Sequence, residues 1–105
     1  MSPENHSGAD DSYGRAGHLP GAGNVFAVSL VDRETHRFRP TDELTQLFAE
    51  VPADVPVITY CGGGIAATSD AFVLTELLGR RDVAVYDGSL SEWVLDDARP
   101  LATGD

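Results

Sequence analysis

A short β-branched and aromatic run, Val57-Ile58-Thr59-Tyr60, leads straight into Cys61, three consecutive glycines and a stretch of helical periodicity. The run is too short for a helix and has the pattern of a buried parallel strand, so this succession restricts the chain to an α/β arrangement. Downstream, Ala67, Ala71, Leu74 and Leu78 recur at helical spacing between Ile65 and Leu78, and Gly79 stands where a helix usually stops. The spacing predicts a helix of about four turns. Val83 to Tyr86 is a second short apolar strand. Asp87-Gly88 turns it into a last helix, in which Ser89 and Glu92 have capping-box spacing. Strand, helix, strand, helix predicts a parallel sheet flanked by helices.

Upstream the signals are weaker. Met1 to Gly23 is rich in Gly, Ser, Asn and Asp without an apolar run, and reads as mostly irregular. Asn24 to Val31 is apolar and rich in Val, which predicts a short strand. A polar connection closed by Pro40 follows. Thr41 can then cap a helix that carries Asp42 and Glu43 in its first turn, where the helix dipole favours acids, and ends near Val51 and Pro52. No internal repeat is visible.

At 105 residues the chain is at most one domain with one core. Its 17 acids against 7 bases give a formal charge of -10, which opposes binding to nucleic acid or to an anionic membrane surface. No apolar stretch approaches the roughly 20 residues of a membrane span. The start, MSPENHSGADDS, lacks the basic and apolar parts of a signal peptide, so a cytoplasmic location is expected. Cys61 is the sole cysteine, which excludes an internal disulfide and a multi-thiolate metal site. His and acidic residues form no cluster at ligand spacing, so no metal is expected.

Cys61 falls at the carboxyl end of a predicted parallel strand, where open α/β sheets bind ligands. Gly62, Gly63 and Gly64 carry no side chains to keep a ligand off the backbone, and their N–H groups can converge on an anion. The helix start beyond them adds its positive end. A thiol placed there is stabilised as thiolate and becomes a nucleophile. The bland reading is a small buried Cys ending a strand, with the glycines serving only a tight turn. Two other chemistries share parts of the pattern. A cysteine phosphatase places an Arg where this chain has Ala67, and no Lys or Arg occurs between Tyr60 and Gly79 to grip a phosphate. Gly62, Gly64 and Ala67 also fit G-x-G-x-x-A, with Asp87 ending the next strand, but a dinucleotide fold needs more strands than remain after Tyr60.

Four segments, taken together and in order, resemble the rhodanese or sulfurtransferase domain, most closely the second domain of tandem sulfurtransferases. They are GHLPGAGNV from Gly17, PTDELTQLFAE from Pro40, VITYCGGGIAA from Val57 and VYDGSLSEW from Val85. The resemblance implies an open parallel sheet flanked by helices, with an irregular segment over 1–16 and the rhodanese-like domain over 17–105. It implies that Cys61 attacks a donor such as thiosulfate or 3-mercaptopyruvate, carries the sulfur as a persulfide and passes it to a thiol or cyanide acceptor, with no cofactor. The loop of Gly62, Gly63, Gly64, Ile65, Ala66 and Ala67 would cradle the terminal sulfur. Thiosulfate-type members often have basic residues just after the Cys, and mercaptopyruvate-type members often have Ser at the place of Gly63. Both positions are bare here, leaving the donor open. The family also has a central strand ending in Asp-x-Arg upstream of Gly17, which this chain lacks. That implies a shortened domain, a fragment of a tandem enzyme, or a subunit whose sheet a companion rhodanese domain or a second chain completes; the rival is a binding module that kept the loop and lost turnover.

Among the remaining residues, His18 reads as a structural hydrogen-bonding group, and His6 and His36 as solvated. Trp93 and Tyr86 read as packing residues, Asp87 as a turn residue, and Arg15, Arg80 and Arg81 as surface charge.

Overall fold

A computed structural model describes residues 1–104. The sheet has two strands, β1 (Val57–Thr59) and β2 (Val83–Val85), parallel, with Val57 beside Val83 and Thr59 beside Val85. The connection between them is helical, as a parallel crossover requires. It begins as α3 (Ala66–Phe72) and widens into a π-helical turn over Val73–Leu77, closed by the bond from Leu78 N–H to Val73 C=O at 2.9 Å. Gly79, at φ +75°, ends it, and Arg80 N–H reaches back to Leu74 C=O at 2.8 Å.

The other helices are short: α1 (Pro3–Ser7), α2 (Thr41–Leu47) and α4 (Ser89–Trp93). The core lies on the face of the sheet covered by α3. There Leu30, Leu44, Phe48, Val73 and Leu74 form one buried cluster, with Val25, Val57 and Val83 packed against it. Truncating a residue such as Leu30 or Leu44 to Ala would cost about 2–5 kcal/mol.

Several sequence expectations are corrected. Asn24 to Val31 forms no strand: it makes a 3-10 turn over Ala27–Leu30, where Ser29 turns both its N–H and its hydroxyl onto Phe26 C=O. With no strand to pair against, that local bonding wins. Val31 makes only an isolated bridge to Phe38. Pro3–Ser7, inside the segment read as mostly irregular, is a helix capped by Ser2, whose Oγ accepts the Asn5 N–H at 3.2 Å. At α2 the cap position is Pro40, without a side-chain bond, and the helix ends at Leu47. The Ser89–Glu92 capping box does not form, because Ser89 has φ +53° and its hydroxyl points elsewhere.

Ile58 is 68% exposed, although its run reads as a buried strand. In the parallel ladder Val57 and Thr59 bond to β2, so the N–H and C=O of Ile58 face the opposite, open edge of β1. That edge borders a cavity of about 630 Å³, lined also by Gly21 to Val25 and, from the end of α2 and beyond, Gln46 to Val51.

Arg80 is a clamp rather than free surface charge: its guanidinium donates to Pro52 C=O, Val55 C=O and Asp82. Arg15 similarly donates to the carbonyls of Asp96 and Arg99. His6 is buried, stacked on His18 at 3.7 Å between ring centres, and its carbonyl lies 2.7 Å from His18 Nδ1. His18 also pairs its backbone both ways with Ala102, which joins the two ends of the chain.

Candidate active site

Cys61 stands just beyond β1, and three successive residues of α4 hold the backbone of Cys61 and Gly62. Cys61 N–H donates to Ser89 Oγ at 3.0 Å, and Leu90 N–H donates to Cys61 C=O at 2.9 Å. Ser91 gives both its N–H, at 2.9 Å, and its hydroxyl, at 2.6 Å, to Gly62 C=O. Ser89 is fully buried and passes its own hydroxyl hydrogen to Tyr86 C=O at 2.8 Å. The unusual φ of Ser89 is what turns this hydroxyl into the strand ends.

The loop then folds around the sulfur. Gly64 N–H points at Cys61 Sγ at 3.0 Å. Gly64 has φ +95°, and a Cβ there would run into the Asp87 carbonyl, so this position requires glycine on both counts. Gly63 is exposed, with open space where a side chain would go. Gly62 is buried, and a side chain there would overlap Tyr13. Ile65 is 85% exposed and covers nothing, Ala66 is half-buried, and Ala67 is fully buried with its carbonyl accepting the Thr59 hydroxyl at 3.0 Å.

Burial, at 3% exposure, pushes the Cys61 thiol up. The N–H groups of Ala67, Gly64 and Ala66, with the Ser89 hydroxyl, outweigh it and hold the thiol below its usual value. The cause is local hydrogen bonding, since no cationic side chain stands in the segment from Cys61 to Leu78. The arrangement is a buried thiol in an amide cradle that favours its anion. Among the described residues no group of His, Cys, Asp and Glu could hold a metal.

The sequence pattern indicated Cys61 and the loop as candidates, and the structure brings Gly64, Ala66 and Ala67 around the sulfur while leaving Ile65 pointing away. Ser89, Ser91 and Tyr13 were not legible as site residues. Ser89 carried the signal of a helix cap, which concealed its bond to Cys61.

A parallel α/β frame that ends a strand in a buried thiol ringed by backbone amides is the class of architecture seen here, and the family profile of the rhodanese-like domain matches residues 7–96. The chain belongs to the rhodanese-like domain family. It is 41% identical over 92 residues to a thiosulfate sulfurtransferase of Corynebacterium glutamicum, covering 87% of this chain and 30% of that protein. It is 39% identical over 93 residues to a Pseudomonas aeruginosa protein named "Probable 3-mercaptopyruvate sulfurtransferase", covering 86% and 32%. A solved EanB variant, in complex with ergothioneine covalently linked to a persulfide cysteine, superposes with a TM-score of 0.81 at 26% identity, over 99% of this chain and 27% of that one. The chain thus spans about a third of the curated relatives it matches. No described helix is long and apolar enough to cross a membrane.

Proposed function

We propose that this domain is a sulfurtransferase that carries sulfur on Cys61. The observation that carries the reading is the bond from Gly64 N–H to Cys61 Sγ, together with the lowered thiol. A cradle built for one negative sulfur suits both the attacking thiolate and the persulfide that replaces it. With thiosulfate, the thiolate forms an S–S bond to the outer sulfur and the bond to the sulfonate breaks. Sulfite leaves with the electron pair. An acceptor such as cyanide then attacks the terminal sulfur, thiocyanate leaves, and the thiolate returns. With 3-mercaptopyruvate the same attack releases pyruvate, its new C–H taking the thiol proton.

The names of the relatives support transfer from small sulfur donors, and the persulfide held by the EanB variant supports a sulfur-bearing cysteine on this fold. Gly62 to Ala67 form the substrate loop in this reading. A free catalytic thiol works where thiols stay reduced, which favours the cytoplasm.

The slot beside Ile58 takes a strand from a companion rhodanese domain or a second chain. Its support is the open edge of β1 and the third of each relative that this chain covers. A module that binds without turnover is the other reading of a domain whose sheet is open. Thiocyanate release from thiosulfate and cyanide separates the two: the parent chain forms it and Cys61→Ser does not, whereas equal rates in both would end the proposal.

A further inference from the structure

We infer that Tyr13 selects the donor at this site: its ring fills the side-chain space of residue 62 and its hydroxyl serves anionic donors. The inference rests on the sulfurtransferase reading above. Gly62 and Gly63 are adjacent and equally bare, yet their surroundings differ. A Cβ on Gly63 meets nothing within 4 Å, whereas one on Gly62 would overlap Cζ, Cε1 and the hydroxyl of Tyr13. Gly62 carries no positive φ, so the ring and not the backbone demands glycine there. The residue next to the nucleophile is therefore covered by an aromatic side chain from the N-terminal segment, and Cys61 beneath is only 3% exposed.

Tyr13 is held in place rather than draped over the loop. It lies in a turn closed by Gly14 N–H to Asp11 C=O at 2.9 Å, and Arg15 fixes that turn to the carbonyls of Asp96 and Arg99. On the far side, Ser91 pins Gly62 C=O. The ring and α4 grip the same peptide from two directions.

The hydroxyls around the loop also differ in what they have left to give. Thr59, Thr68, Ser89 and Ser91 donate theirs to the carbonyls of Ala67, Ile65, Tyr86 and Gly62. Tyr13 Oη makes no such bond among the described residues, and Tyr13 is 36% exposed. With no Arg or Lys in the loop, it is a side-chain donor available to the oxygens of a small anion, whether sulfonate or carboxylate.

The test compares the parent chain, Tyr13→Phe, Tyr13→Ala, Gly62→Ala and the double variant Tyr13→Ala/Gly62→Ala. Steady-state kinetics use thiosulfate and 3-mercaptopyruvate with cyanide, and alkylation of Cys61 uses neutral iodoacetamide and anionic iodoacetate. Tyr13→Phe keeps the ring, so KM rises roughly three- to tenfold for the donor whose oxygens the phenol serves, more than kcat falls. Its iodoacetate-to-iodoacetamide rate ratio falls by a similar factor. A rise for thiosulfate alone assigns the sulfonate, and a rise for mercaptopyruvate alone the carboxylate. Gly62→Ala slows alkylation in the parent background and is tolerated once Tyr13 is Ala. Gly62→Ala equally harmful in both backgrounds, or a Phe variant unchanged in both KM values and in the alkylation ratio, overturns the inference. If the parent chain turns over neither donor, the transfer reading fails, while the two alkylation comparisons still decide whether Tyr13 covers and selects.

Discussion

Replacing Ser89 with Ala removes one oxygen from a fully buried position and takes a bond from each of two backbone groups. Those groups are the Cys61 N–H, 3.0 Å from Ser89 Oγ, and the Tyr86 carbonyl, 2.8 Å from it. The carbonyl keeps one bond, since it also accepts Ser89 N–H at 3.1 Å. The Cys61 N–H has no such second partner at hand, so one lost donor dominates at about 1–3 kcal/mol. For a domain of this size each kcal/mol moves the melting temperature by roughly 4–8 °C, giving a fall of about 10 °C for a mid-range loss. The same change frees the Cys61 backbone from the post that sets its sulfur against the loop amides, so the thiol midpoint moves up. Thermal melts and iodoacetamide rate against pH read the two effects in one sample set. An Ala variant that melts with the parent and titrates with it would refute the assignment of Ser89 as the post holding Cys61.

The three glycines separate by environment: Gly64→Val should lose both stability and activity, at least 2 kcal/mol from φ +95° and the Asp87 carbonyl, whereas Gly63→Val should melt near the parent, as chemical denaturation will show. Cys61 has a lowered folded pKa, so its contribution to stability is fully present above the free-thiol value of about 8.5 and is lost as pH falls through the folded value. Cys61→Ala should therefore flatten the rise of melting temperature between the folded value and about pH 8.5. Asp70, pushed up to about 6 chiefly by burial and eased down by the Met1 ammonium, has the opposite sign: its contribution is present below about pH 4 and lost as pH rises through about 6. Asp70→Asn should gain stability at pH 8 relative to pH 4, and an equal gain at both would contradict the burial argument. A family-like strand fused upstream, with a flexible link, should raise both melting temperature and specific activity; if the chain as it stands already matches the fused version, the slot beside Ile58 needs no occupant.

The parts of this protein legible in its sequence are those whose cause is local. Val57 to Thr59 is β-branched throughout and Val83 to Val85 at both ends, and these become the two strands, while Gly79 stops the crossover helix because a left-handed turn there suits glycine. The sulfur loop was legible for the same reason: a Cys, three glycines and a helix start are contiguous. Pro3–Ser7 was also written locally, in Ser2 as cap and Pro3 in the first turn, but a five-residue helix is too short for periodicity to reveal. Asn24 to Val31 misled because an apolar run becomes a strand only where it pairs with another, and this one closes a 3-10 turn on itself and bridges only to Phe38. Ser89, Tyr13 and His6 take their roles from partners far along the chain, at Cys61, Gly62 and His18 respectively. No spacing rule reaches across such distances.

The central claim is that Cys61 carries the transferred sulfur, and the intact mass of the desalted protein after incubation with thiosulfate tests it most directly. As Cys61 is the only cysteine, bound sulfane sulfur has one home. The account predicts a gain of one sulfur atom, absent from Cys61→Ser and removed by cyanide with release of thiocyanate. An unmodified mass under conditions where the thiol remains alkylatable, or the same gain in the Ser variant, would contradict it.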